Sequence, residues 1–495
     1  MAKIKLNSAD RVFFRLVSEA AFANPFSCQR FKLDREILGV KKDCTWPGIV
    51  LDVIKRVHKG ISVFDKHGPV RVQDFTAADQ DLIKTVFYFD IFHKYVFQFD
   101  ELIDQQITSG AESVKVVFAQ QAIGDFLKRG FTRELAVRYF ALFFQMRRAF
   151  YFIDKGLLGN CPCMKKLREN LWNHIFTCDI QLYEKSLWNR MEDFSTLLLG
   201  PTGSGKGAAA TAIGRSGFIP FDVKKGAFVK SFTETFIAVN LTQYAQTLLE
   251  SELFGHARGS FTGAVSAHEG LLALCGRHGS IFLDEIGDIS QSVQIKLLKV
   301  LEERVFTPVG SHKQQDFHGR VIAATHRSLD VLRKHGSFRD DFYYRLCSDC
   351  IEVPSLRQRV QESDKELDIL INHVVQWIIG QENSNLCSTV REVIDRRLGK
   401  DYLWPGNVRE LAQCVRRVII RKDYQAQSPS CTGGADMLLD QIRSGTIRAD
   451  DLLSSYCTML YQQFNTYEEV ARRTGLDRRT VKRYVNLLQK IKGDM

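Results

Sequence analysis

Leu197–Gly207 reads LLLGPTGSGKG: a short apolar run ending at Gly200, a glycine-rich turn, and Lys206 leading into small residues. The spacing Gly200-x-x-x-x-Gly205-Lys206 is that of a phosphate-cradling loop between a buried strand and a helix. Glycines let successive backbone N–H groups converge on phosphate oxygens. The helix N-terminus adds positive potential, and a lysine ammonium reaches the terminal phosphates. Gly200, Pro201, Thr202, Gly203, Ser204, Gly205, Lys206 and Gly207 are therefore the candidate nucleotide-binding residues. Gly207 stands where a hydroxyl residue ordinarily binds Mg2+, so the metal must be held through water and by other residues. A second apolar run, GSIFLDE, ends in adjacent carboxylates, Asp284 and Glu285. Beside the loop strand, Asp284 would lie near magnesium and Glu285 near the attacking water, the positioning and charge that phosphoryl transfer requires. The same acids, with Asp288, would equally serve to cap a following helix.

Elements that must position these groups are legible in the apolar patterning. LLLG, FIAVN (236–240), SIFLD (280–284) and RVIAAT (320–325) alternate with helix-length segments up to about Pro354. That alternation predicts a parallel sheet with helices on both faces. Met164–Arg190 reads as a helix leading into the loop strand, and Asp364–Lys422 as an all-helical lid. Residues 1 to about 160 are rich in phenylalanine and hold helix-length segments such as Asp79–Asp104 and Thr132–Lys155. Leu135, Val137, Tyr139, Phe140, Phe143 and Phe144 recur at helical spacing, as packed amphipathic helices require; the aromatics read as core, not as a ligand cage. No receiver-like phosphoacceptor pattern is present there. Gly156–Pro162 (GLLGNCP) marks a boundary, and YQAQSPSCTGG (424–434) a linker.

Composition bounds the classes. A chain of 495 residues exceeds one hydrophobic core, so two to four domains are expected. A net charge of +11 suits a polyanionic partner, although a solvated basic face reads the same. Twelve scattered cysteines lack the dense framework of a secreted domain and read as reduced thiols in a cytoplasm. MAKIKLNSADR has no signal-peptide core, and the apolar run Tyr139–Met146 is too short to span a bilayer, so no membrane association is expected. Cys347-Ser-Asp-Cys350 lacks a second pair at finger spacing and reads as core thiols. Cys161-Pro-Cys163 sits at the boundary with redox sensitivity as its alternative.

Tyr467–Val485 fits a helix-turn-helix. Ala471 is small at the crossing and Gly475 makes the turn. Val470, Leu476, Val481 and Tyr484 supply the shared core, and Asp477 caps the second helix. That helix would present Arg478, Arg479, Thr480, Lys482 and Arg483 to DNA, the first residues toward base edges and the others toward phosphates. A basic, solvated helix pair is the competing reading.

Several ordered motifs settle the family between about 195 and 420. GPTGSGKG, ELFGHARGSFTGA (252–264), FLDEIGDIS, LLKVLEERVFTPVGS and FRDDFYYRL together resemble the sigma-54 activator family of AAA+ ATPases. The resemblance implies that Gly259, Ser260, Phe261, Thr262, Gly263 and Ala264 form the loop that engages sigma-54, with Ser260 replacing an alanine. It implies that Asn240 restrains Glu285, and that Thr325 and His326 sense the γ-phosphate, the histidine replacing an asparagine. Arg339 and Arg345 would be supplied to a neighbour's ATP, with a surface ion pair to Asp340 or Asp341 as the alternative. Arg409, in WPGNVREL, would contact nucleotide phosphates from the lid. Pro201 and Gly207 depart from two glutamate positions of the family.

The implied organisation is multidomain: a helical regulatory domain (1–160), an α/β AAA+ P-loop ATPase core (161–355), its helical lid (356–423), a linker (424–448) and a C-terminal helix-turn-helix (449–495). The implied activity is ATP hydrolysis with Mg2+ in a self-assembled ring, a hexamer, that remodels sigma-54 RNA polymerase holoenzyme from upstream enhancer DNA. Two rivals remain: a DNA-binding regulator with an impaired ATPase, and an AAA+ remodeller of a different partner.

Overall fold

Five strands form the central sheet, four of them apolar runs. They are β1 (Thr196–Leu199), β2 (Phe236–Asn240), β3 (Ser280–Asp284), β4 (Arg320–Thr325) and β5 (Asp349–Glu352). All neighbours are parallel, in the order β2-β3-β4-β1-β5. β4 is buried along its whole length and β3 up to Leu283, as strands covered on both faces must be. The register aligns Leu199 with Thr325, Asp284 with Ala324 and Asn240 with Asp284, so the ends of four strands open on one edge. The computed structural model describes the chain except residues 1–2, 41–45, 262–263, 400, 426–437, 439–441, 443–446 and 494–495. Most of the 424–448 stretch expected to be a linker therefore lies outside the described residues, as do Thr262 and Gly263.

Among the described residues, eight helices of ten or more residues precede the sheet: α1 (Ser8–Phe22), α2 (Cys28–Leu38), α3 (Trp46–Ser62), α4 (Ala77–Lys94), α5 (Val96–Ser109), α6 (Ala119–Lys128), α7 (Arg133–Gly156) and α8 (Pro162–Phe176). Asn7, Ser27 and Thr132 each accept a bond from the backbone N–H three residues on, fixing three of the starts. The helix-length segment 79–104 divides at Tyr95, and the helix expected over 164–190 stops at Phe176, where Thr177 takes φ +63°. A three-residue helix and a π turn (Tyr183–Leu187) fill the remainder.

Apolar packing does not break near residue 160. A single core runs from Leu6 to Val353. A small hairpin, Phe221–Asp222 with Ala227–Phe228, carries the continuity: Phe228 stacks on Phe144 at 4.3 Å, and Phe221 meets Phe140 edge-on at 4.9 Å. Deeper, Arg148 is fully buried, donating to the carbonyls of Arg215 (2.6 Å) and Gly217 (2.7 Å). Its neighbour Gln145 donates to the Ser216 carbonyl and to the Tyr183 hydroxyl. Burial pulls the Arg148 guanidinium down to about 9. Helices Lys365–Ile379, Ser384–Arg397 and Asn407–Arg421 follow the sheet, as the lid pattern requires.

Residues 1–392 with 401–422 make one compact unit; 393–400 with 423–495 make another. In the second, Ala449–Phe464, Tyr467–Thr474 and Arg478–Gly493 close around Cys457, Leu460, Val470, Val481, Tyr484 and Val485. Gly475 turns the chain at φ +71°, a conformation that favours glycine.

Candidate functional site

Strand β1 delivers the chain into a turn that only glycine allows. A Cβ on Gly200 would stand 2.6 Å from the Val353 carbonyl oxygen, and one on Gly203 2.5 Å from that of Gly406. Gly203 and Gly205 hold φ of +76° and +111°. A helix, Lys206–Gly214, starts directly behind. Lys206 is 7% exposed, and its ammonium donates to the carbonyls of Gly200 (2.9 Å) and Pro201 (3.2 Å). Burial lowers its proton affinity, partly offset by Glu285 and Asp284. The Ser204 hydroxyl is buried with no partner, and nothing crowds Gly205 or Gly207. Positive-φ glycines, an unmatched donor and a lysine resting on weak carbonyl partners fit the triphosphate of a nucleotide.

The acids sit on the adjacent strands. Asp284 ends β3, accepts from the Glu285 N–H at 3.0 Å, and has its proton affinity raised by burial and by Glu285. Glu285 takes φ +60°, a strained setting for a non-glycine residue. Asp284 fits a water-mediated role on Mg2+, since Gly207 offers no side-chain ligand.

Asn240, expected to restrain Glu285, makes a different bond in the lone chain. Its Oδ1 accepts from the backbone and hydroxyl of Thr242, at 3.0 and 2.7 Å, capping the turn Leu241–Gln243. Glu285 instead pairs with His326, whose Nδ1 lies 2.7 Å from Oε2 and whose N–H donates at 3.4 Å. The histidine at the sensor position thus takes the glutamate. The Thr325 hydroxyl accepts from the Arg327 N–H.

Both candidate finger arginines are engaged within the chain. Arg339 forms a two-pronged pair with Asp341 (3.0 and 2.6 Å), the surface pair that was the alternative. Arg345 donates twice to the Leu301 carbonyl. Neither reaches the glycine loop in the lone chain. Arg409 is exposed on the lid, with its Cβ 3.0 Å from where a Gly203 Cβ would stand. A lid residue that the sequence reading missed is Asn407. It is 2% exposed at φ +52°, and its amide donates to the Thr202 carbonyl (3.0 Å) while its Oδ1 accepts from Leu356 N–H (2.8 Å). The signal was Gly406-Asn407 at a helix start, an asparagine placed where αL is tolerated.

Ahead of β3, Gly259 N–H bonds to the Ala264 carbonyl (2.9 Å) and Ala264 N–H to that of Phe261 (3.0 Å). Phe261 is 41% exposed and rests edge-on against His256 at 5.0 Å. Ser260 packs over Gly310, with its hydroxyl buried and unpartnered. In the C-terminal unit Arg478, Arg479, Lys482 and Arg483 are exposed, Arg478 pairing with Glu468 at 2.9 Å. Thr480 is not free for a ligand: its N–H and hydroxyl both bond to Asp477, the helix cap.

The cysteine motifs lie apart from the nucleotide site. Cys350 is exposed at β5 and Cys347 half-buried, so the pair is not core throughout. Cys161 and Cys163 have sulfurs 3.5 Å apart near Glu362. Burial holds both thiols protonated, which opposes redox reactivity. Among the described residues no helix is long and apolar enough to cross a membrane.

A family model described as the sigma-54 interaction domain matches residues 180–352, which include all five strands. The transcriptional regulatory protein GlrR of Escherichia coli (strain K12) is 37% identical over 240 residues, 48% of this chain and 50% of that protein. The DNA-binding transcriptional regulator NtrC of Azospirillum brasilense is 37% identical over 226 residues, 46% of this chain and 43% of that protein. The chain thus spans about half the length of these curated relatives. An uncharacterized protein in the HyuA 5' region of Pseudomonas sp. (strain NS671) is 36% identical over 246 residues, 50% of this chain and 77% of that protein. A parallel sheet with a glycine loop at its switch point, paired acids on the next strand but one and this set of relatives lead to one conclusion: the chain belongs to the sigma-54-dependent activator family.

Proposed function

We propose that the chain is an ATP-hydrolysing activator that works as a hexameric ring on sigma-54 RNA polymerase while anchored to upstream DNA. The observation that carries the reading is the convergence of Lys206, Asp284, Glu285, His326 and Arg409 at the carboxyl edge of β1, β3 and β4. Bound Mg2+ would neutralise developing phosphate charge, held through water by Asp284. Lys206 exchanges two backbone carbonyls for phosphate oxygens, and Glu285 leaves His326 to orient a water. Arg339 and Arg345 complete the site of a neighbouring copy after releasing Asp341 and the Leu301 carbonyl. Phe261 is the apolar probe offered to sigma-54, and the basic face of Arg478–Gly493 meets DNA phosphates.

The test is capture of purified sigma-54 by the full chain with ADP and aluminium fluoride. Wild type should capture it, and Phe261→Ala should lose capture while keeping ATP turnover. Turnover without capture by wild type moves the reading to another remodelling target. Background turnover by wild type moves it to a DNA-binding regulator with an impaired ATPase.

A further inference from the structure

We infer that the helical region binds an uncharged, largely aromatic small molecule carrying a carbonyl-type acceptor, in a cavity walled by α1–α5, α7 and α8. The cavity measures about 470 Å³, within the roughly 300–1,000 Å³ of small-molecule sites. Its lining is mostly apolar, including Phe22, Ile54, Phe92, Leu142, Met146 and Phe150. Most of the aromatics are core, as the sequence predicts, yet they enclose a space they do not fill.

The polar groups on the wall specify the ligand's chemistry. Its charges are already matched: Arg147 with Asp100 at 2.6 Å, Arg30 with Asp34 at 3.0 Å, Glu184 with Arg138 at 2.6 Å. Asp154 is exposed to solvent. An anionic ligand would find no free cation among these pairs, and the one carboxylate outside them faces solvent. Three neutral side chains are unmatched: the Tyr88 hydroxyl, both nitrogens of His93 and the indole N–H of Trp172 are buried without a partner. Trp172 is 3% exposed, and it forms part of the cavity wall. Burial pushes His93 down to about 3, leaving it neutral, with one nitrogen to donate and one to accept. An indole N–H in an apolar wall requires an acceptor, and a ligand carbonyl supplies one.

The same helices grip the ATPase core. On α7, Leu142 and Met146 line the cavity, while Gln145 and Arg148 hold the backbone of 215–217 just behind the loop helix. On α8, Trp172 lines the cavity and His174 bonds Thr196 on β1, Arg320 on β4 and Asp349 on β5. Occupancy therefore bears on the nucleotide site. That coupling rests on the ATPase reading; binding itself does not.

Nile red, uncharged, aromatic and carbonyl-bearing, is a suitable probe for the full chain. Fluorescence titration should give saturable one-to-one binding. Trp172→Phe should weaken it about tenfold, the loss of one hydrogen bond. Val96→Trp, at a half-buried wall position, should abolish it by filling the space. If Val96→Trp fails to fold, judged by circular dichroism, Trp172→Phe still decides. No saturable binding to wild type, or equal binding by folded Trp172→Phe and wild type, overturns the site. Binding that leaves ATP turnover unchanged overturns the coupling, whereas binding without any basal turnover sinks the ATPase reading and leaves the site standing.

Discussion

The carboxyl edge of the sheet and the cluster of helices before it solve opposite problems. At the edge, Lys206, Glu285 and Ser204 hold weak, replaceable partners or none, and Glu285 sits at φ +60°. In the helical cluster, the buried ions Arg30–Asp34 and Arg148 are tied to fixed partners, and aromatic rings interlock around them. The edge keeps its polar groups available; the cluster commits most of its own to architecture. Backbone strain at Glu285 lies where a ligand is to bind. Tyr88, His93 and Trp172, unpartnered on the cavity wall, are places where the helical cluster behaves like the edge.

Four substitutions or conditions sharpen this contrast. Glu285→Gln should lower ATP turnover about a thousandfold, within the roughly 10²–10⁴ of general-base catalysis, without lowering the melting temperature. A stable, fully active variant would break the contrast at its catalytic end. Arg148→Met leaves two buried carbonyls unmatched and should cost about 2–4 kcal/mol of stability. Chemical denaturation should follow it as one transition across helices and sheet; a loss confined to the helices contradicts the shared core.

Acidification should act next. Burial, then Arg320, holds His174 down to about 4, against an ordinary 6.5. The unfolded chain therefore binds a proton that the folded one refuses. Stability is present above pH 6.5 and is lost as pH falls toward 4, which thermal melts at stepped pH will follow. His174→Gln should flatten that dependence. The smallest effect is expected for His326→Ala, which removes the side chain orienting Glu285: kcat should fall about tenfold with KM unchanged, as for a positioning residue.

Legibility in the sequence divided along the same line. SIFLD and RVIAAT coincide with strands because burial on both faces leaves continuous apolar runs, and FIAVN is the half-buried edge strand beside them. The glycine loop was legible because close backbone approach forbids side chains at Gly200 and Gly203. Partner choice was not. Asn240 ends one strand and His326 follows another two strands away, and nothing in their spacing says that His326 takes Glu285, which sits at φ +60°. Nor does helical spacing in α7 distinguish Phe140, packed on Phe221, from Phe143, which faces a cavity. Periodicity gives a face, not its far side.

The Phe221–Phe228 hairpin bears on how such regulators diversify. Lying after the nucleotide loop yet interlocked with Phe140 and Phe144, it makes residues 216–233 part of whatever the helices specify. A splice junction at residue 160 would graft a foreign input onto a motor whose hairpin no longer finds its mate. Chimeras that exchange the hairpin together with α1–α8 should inherit a fitted joint; those that exchange the helices alone should not.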